Sequence, residues 1–408
     1  MAPTPRPLKF RLHATSACAL ALLSATFFLA GCGSFFTCEG KSDCPVTCTT
    51  NCTASSSTDY AYVANSATSA NDLNGYNLGA GTLTATTSSP YSLGYSPSSM
   101  VVSHADTFLY AATDSLLSTG EIYAYSIGTG GNLTILGGGK PQIGENDAAL
   151  AISPDGQWLF TLPTAALILN EYSANTSTGT LGGLQNSYDL SSAPSGTITP
   201  LSIAVAPSGQ YFAAALATGG ANVFPFDTTT GGEPSGQSGV LIDPGSAQNG
   251  IYALAFDSNN YLYCVTTNGL QVFSVTSGAT VTAVGSAYTL GNQPRSIAIA
   301  STTTTSGSTT TTTPNYVYIG NEADGTISAY AIGTAGALTT VPGSPFTGPT
   351  SVNSLAVDST GKYLIASGYN ASTGIQLFTI GSNGALTSSG TAGTGTSTLI
   401  PGSIAATH

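Results

Sequence analysis

Beyond the first 32 residues this 408-residue chain has two histidines, His104 and His408, and one arginine, Arg295. Base catalysis near neutral pH draws first on imidazole, but neither histidine stands in a cluster. His104 lies in VSHADT, a turn between two strand-like runs, and His408 is the last residue. No Gly-x-Ser-x-Gly stretch supplies a nucleophile. Arg295, in QPRSIAIA, is the residue suited to holding a carboxylate or a developing oxyanion. Two acidic pairs, Glu145 with Asp147 and Glu322 with Asp324 in NEADGT, offer the hard oxygens that calcium takes. The competing reading makes Asp324-Gly325 a turn and the acids solubilising. Calcium is therefore an option for this chain, and no cofactor is required.

These residues sit within a repeat. Its first element, small-apolar-Ala-apolar, occurs as SMVV at Ser99, ALAI at Ala149, SIAV at Ser202, ALAF at Ala253, SIAI at Ser296, SLAV at Ser354 and SIAA at Ser403. The steps run from 43 to 58 residues. A second, aromatic-led element follows the first six copies: FLYAA, WLFTL, YFAAA, YLYCV, YVYIG and YLIAS. The seventh copy ends the chain without one, while YAYVAN at Tyr60 has no first element before it. A third element, marked by Tyr76, Tyr125, Tyr172, Phe226, Phe273, Tyr330 and Phe378, leads into Gly-x-Leu-Thr or a variant of it.

Repetition at this period, with short alternating runs and 49 glycines, predicts an all-β fold. The expectation is a seven-bladed β-propeller of four-stranded blades, with the ring closed by the C-terminal strand pairing with the N-terminal blade. A β-helix would want shorter repeats and capped ends. The repeated serines read as small residues that let inner strands pack near the axis. STTTTSGSTTTTTP, residues 301–314, reads as a solvated loop inserted between the first and second strands of one blade.

Hydrophobic residues make up 41% of the chain and charged ones 6%, enough apolar material for a large core. Residues 1–31 carry Arg6, Lys9 and Arg11 and then an apolar run too short to span a membrane, the pattern of an export signal. Leu29-Ala30-Gly31-Cys32 resembles a bacterial lipobox, which implies cleavage before Cys32, lipidation of its thiol and a membrane partner through that anchor. The implied location is the cell envelope, at the outer membrane or cell surface. Residues 32–58 then form a stalk in which Cys38, Cys44, Cys48 and Cys52 read as two disulfides of open connectivity, with a metal cluster as the alternative. Residues 59–408 are the propeller. Loss of the signal leaves four Lys and Arg against 19 acids, a balance of −15, which disfavours nucleic acid.

YVAN at Tyr62 and YIGN at Tyr318, with SIAVAPSGQYFAA and SLAVDSTGKYLIA, resemble the Tyr-Val-Thr-Asn and lactonase-type propeller repeats over the whole of 59–408. The resemblance implies the fold, and an activity on lactones such as 6-phosphogluconolactone. Enzymes of that group carry Pro-Arg-His at the start of an inner strand. Here Pro294-Arg295 matches and Ser296 replaces the histidine. On the face that carries the site in related folds, ten acids (Asp72, Asp114, Glu121, Glu145, Asp147, Asp189, Glu233, Asp243, Glu322 and Asp324) are expected against Lys140 and Arg295. Such a face suits a cationic or neutral small molecule or protein better than a phosphorylated sugar. The expected function is a ligand- or protein-binding propeller with degenerate catalytic positions. The alternative is a lactone hydrolase using Arg295, 6-phosphogluconolactonase-like or metal-assisted.

Overall fold

The structure is a computed structural model. It describes residues 59–407 apart from 66–71, 96, 114–119, 146, 165–166, 195, 246–248, 307–308, 370–372 and 394–400. Cys32, Cys38, Cys44, Cys48, Cys52 and His408 lie outside the described residues.

Seven antiparallel sheets form the blades, and each of the seven first elements is the innermost strand of one. Blade 1 opens with Pro97–Val102, blade 2 with Asp147–Ile152, blade 3 with Ser202–Val205 and blade 4 with Ile251–Phe256. Blades 5 and 6 open with Pro294–Ser306 and Ser354–Val357, and blade 7 with Pro401–Ala406. The aromatic-led strand is second in every blade. Closure is as the half-repeats require: Pro401–Ala406 pairs with Tyr60–Asn65, with Tyr62 opposite Ala405 and Val63 opposite Ile404. Thr407 fastens the seam, its amide donating to the Tyr60 carbonyl at 2.9 Å and its Oγ1 accepting from the Tyr60 amide at 2.8 Å.

Contacts between blades explain two recurring letters of the repeat. The aromatic that begins a second strand lies on the turn joining the third and fourth strands of the next blade, at the glycine of Gly-x-Leu-Thr or its equivalent. A Cβ on Gly131 would stand 2.4 Å from the Tyr60 ring, on Gly179 2.3 Å from Phe108, and on Gly384 2.5 Å from Tyr316. These glycines have φ of +73°, +71° and +82°, so both the close approach and the backbone demand glycine. The tyrosine two residues on then reaches the same turn: the Tyr62 hydroxyl donates to the Gly131 carbonyl at 2.8 Å, and Tyr318 to Gly384 at 2.9 Å. Ring area and a satisfied hydroxyl thus come from one side chain.

Turns between first and second strands are held by a side-chain oxygen facing the following amides. Ser153 Oγ accepts from the Trp158 amide at 3.0 Å, and Asp257 Oδ1 from the Asn259 and Tyr261 amides at 2.9 Å each. These residues therefore close turns at the end of the ring where inner strands finish.

The threonine-rich run corrects the expectation of a loop. Pro294–Ser306 and Thr309–Asn321 continue as paired strands into a long two-stranded ribbon, with Thr303 opposite Thr312 and Thr305 opposite Thr310. β-Branched residues favour the pleated conformation, and cross-strand Oγ1 atoms approach to 3.1 Å for Thr303 and Thr312.

Candidate functional site

At the opposite end of the ring the inner strands begin, and their first residues surround a cavity of about 520 Å³ on the axis. Six serines line it, Ser98, Ser99, Ser202, Ser296, Ser354 and Ser403, between apolar residues of the inner strands and together with Tyr252, Arg295, Asn353 and Tyr369. The serines do more than fit. Ser99 Oγ accepts from the Leu150 amide of the next inner strand at 3.0 Å, and Ser354 Oγ from the Ile404 amide at 3.2 Å. Neighbouring inner strands do not pair as sheets, so these hydroxyls satisfy amides that would otherwise lack partners. Ser296, where the enzymes of the resemblance carry histidine, is 8% exposed and its Oγ has no hydrogen-bond partner.

Arg295 enters this mouth with its charge already engaged. Its Nε donates to Glu322 Oε2 at 3.3 Å, and its guanidinium carbon lies 4.5 Å from the centre of the Tyr252 ring. The side chain remains 40% exposed, so one face of the fork is open to the cavity mouth. Tyr369, 48% exposed, comes from the loop after the second strand of blade 6. The repeat gives no signal for it, because that loop varies from blade to blade.

Two of the acids considered for calcium, Glu145 and Asp324, accept several hydrogen bonds each. Glu145, in blade 2, accepts from Thr161 Oγ1 and Asn170 Nδ2 at 2.8 Å each and from the Tyr172 hydroxyl. In blade 5, Asp324 accepts from the Asn292 amide at 2.6 Å and from its side chain at 2.8 Å. Those two bonds, the backbone one first, hold the Asp324 carboxyl below the usual range. The Asp147 side chain lies outside the described residues. Among the described residues no three His, Cys, Asp or Glu side chains converge.

Two placements on the acidic face need correction. Glu233 belongs to the loop between Ala221–Pro225 and Val240–Ile242, a third-to-fourth strand connection, which falls at the other end of the ring. Lys140 sits between Leu133–Ile135 and the Ile143 bridge to Ile122, in a bulge on the outer edge of blade 1. Among the described residues Arg295 is thus the one Arg or Lys at the cavity end.

Carboxyls whose ionisation burial opposes lie elsewhere. Glu171 is fully buried between blades 2 and 3. Burial raises its pKa, against bonds from the Tyr188 hydroxyl, Asn186 Nδ2 and the Gly232 amide. Asp257 in its turn and Asp59 near the seam are raised by burial as well. His104 is on the turn Ser103–Thr107, beside a separate 180 Å³ cleft floored by Phe108 and Tyr110. Cys264 is fully buried and its thiol is pushed up, which makes it inert.

No family model matches the chain, and no curated protein matches it. Solved structures do. A candidate 6-phosphogluconolactonase from Bacteroides uniformis is 18% identical at a TM-score of 0.63, over 85% of this chain and 97% of its own. One from Bacteroides fragilis is 15% identical at 0.65, over 87% and 99%. The periplasmic gluconolactonase PpgL of Pseudomonas aeruginosa is 14% identical at 0.63, over 86% and 99%. At such identities the likeness establishes the architecture: this chain has the seven-bladed β-propeller fold of those lactonase-type proteins.

Proposed function

We propose that the protein is an exported propeller, anchored through a lipid on Cys32, that binds a neutral or cationic polar small molecule at the channel mouth without hydrolysing it. The observation that carries this reading is the state of Arg295. Its charge is paired with Glu322 and its face is covered by Tyr252, while the histidine position beside it is Ser296. Lactone hydrolysis needs a base or a metal-bound water next to the carbonyl. The mouth offers serine, tyrosine and asparagine groups instead, which suit a polyhydroxylated ligand.

Lactone hydrolysis is the second reading, favoured by what the similar structures are named for. One experiment separates the two. The protein is titrated calorimetrically with neutral sugar lactones, their open-chain acids and matching polyols, and base consumption at constant pH is followed with the same lactones and with 6-phosphogluconolactone. Each is done with calcium and with chelator. Binding that weakens at least tenfold in Arg295→Ala, without turnover, is the expected result. Turnover above spontaneous hydrolysis would replace the binding reading with the enzymatic one, and its loss with chelator would bring calcium back.

A further inference from the structure

The threonine ribbon is the feature that the ring does not need. In blades 1 to 4 and 6 the first and second strands are joined by a tight turn, whereas blade 5 extends both strands through residues 301–306 and 309–314. Thr302 to Ser306 and Thr310 to Thr313 are exposed, and residues 301–314 contain no charged residue.

The two edges of this ribbon differ. The Thr312 carbonyl points outward, because it accepts from Ser258 Oγ of blade 4 at 2.9 Å. Thr312 and its partner Thr303 are therefore a pair without mutual backbone bonds, which also brings their side chains close. The same holds at alternate residues, for Ser301 with Pro314 and Thr305 with Thr310. On the Thr309–Thr313 side two of the three outward positions are partly taken: Pro314 has no amide to offer, and the Thr312 carbonyl is held by Ser258, while Thr310 stays open. On the other side the outward amides and carbonyls of Thr303 and Thr305 are solvent-facing, with no proline, charge or bulge among residues 302–306. Natural sheets rarely leave an edge so unprotected.

We propose that this edge pairs with the same edge of a second copy of the chain. Antiparallel pairing about a twofold axis through Thr304 sets Thr303 opposite Thr305 of the other copy and Thr305 opposite its Thr303. Both pairs then exchange amide and carbonyl bonds, using the outward groups of Thr303 and Thr305. The pairing is isologous and closes at two copies. Threonine facing threonine is already the arrangement within the ribbon. The chain carries a net charge of −12, so like-charge repulsion opposes the pairing, and salt, which screens over about 8 Å at physiological strength, favours it. A two-ribbon contact is small, and the dimer is reversible, with a dissociation constant on the order of 10⁻⁴ M.

The test is sedimentation equilibrium of the full chain in density-matched detergent, with reductant present and protein from about 10 µM to 1 mM, bracketing that constant. Thr303→Pro with Thr305→Pro removes the two outward amides without breaking a bond inside the ribbon, and Thr310→Pro removes one outward amide on the opposite edge in the same way. The expected result is a concentration-dependent dimer, weakened at least tenfold by the first pair and unchanged by Thr310→Pro, with far-ultraviolet circular dichroism matching the parent in both. A monomer throughout, a dimer indifferent to Thr303→Pro with Thr305→Pro, or equal loss in Thr310→Pro would each overturn the proposal.

Discussion

Between the blades one contact recurs around the ring, an aromatic ring on a positive-φ glycine, as Tyr60 on Gly131, Phe108 on Gly179, Tyr261 on Gly336 and Tyr316 on Gly384. At the channel mouth the corresponding positions hold Ser98, Leu201, Tyr252, Arg295 and Asn353, and no two of these five are alike. Both regions are built by the same repeat. The walls keep its letters because every junction solves the same packing problem. The mouth drops them because a single cavity on the axis needs different groups from different sides. In this molecule, loss of periodicity at a structurally equivalent position marks the candidate site.

The comparison breaks most readily at the walls. Gly179→Val would force a Cβ to within 2.3 Å of Phe108 at a φ of +71°. We expect a loss of roughly 3 kcal/mol from overpacking and left-handed strain together, read as a lower urea midpoint. No loss would mean that the glycine contacts are incidental to the ring.

Next in size is the junction of blades 2 and 3, where the turn glycine Gly231 meets Glu171 Oε1 as well as the Trp158 ring. Because burial raises the Glu171 pKa, the folded chain holds this proton to higher pH than the unfolded chain does. Its contribution is therefore largest below the ordinary glutamate range and is lost as pH rises through the folded value. Glu171→Gln removes that slope. Denaturation from pH 4 to 8 should show the variant gaining on the parent as pH rises, by about 1 kcal/mol at the upper end. The opposite trend would show that Glu171 is stabilised as a carboxylate. Trp158, the one tryptophan, donates from Nε1 to the Thr228 carbonyl across the same junction at 2.8 Å, and its fluorescence gives a local readout.

A smaller effect tests the exception to the glycine rule. In blade 4 the turn carries Ala279 at a φ of +53°, packed in the cluster that includes Tyr211. Ala279→Gly should stabilise by about 1 kcal/mol, seen as a rise in thermal midpoint. At the mouth the smallest stability change is expected. Arg295→Ala should move the urea midpoint by no more than about 0.5 kcal/mol in equivalent terms while weakening ligand binding. A large loss of stability there would make Arg295 a strut and dissolve the distinction between wall and mouth.

The repeat made the fold legible. Alternating strands, a period near 50 residues and complementary half-repeats at Tyr60 and Ser403 determine a closed ring, because each blade buries its faces only against the next. The same reasoning failed where a local choice competed with tertiary context. Residues 301–314 read as a loop on composition, yet threonine is a strand former, and pairing begun inside blade 5 simply propagates outward. Glu233 falls at the other end because the outer strand Val240–Ile242 comes after it, and a strand of three residues leaves little periodic signal.

By itself, then, the sequence determined the strands, their order, the blade count and the clasp, all of which follow from near-neighbour periodicity. Only the tertiary structure decided which groups meet at the axis. Arg295, Glu322 and Tyr252 are brought together by two blades, and Tyr369 by a third, through loops that obey no repeat. The partner that neutralises Arg295, the hydroxyls that bridge inner strands and the asymmetry of the ribbon's edges are relations between residues far apart in the chain. They depend on distances that only the closed ring fixes.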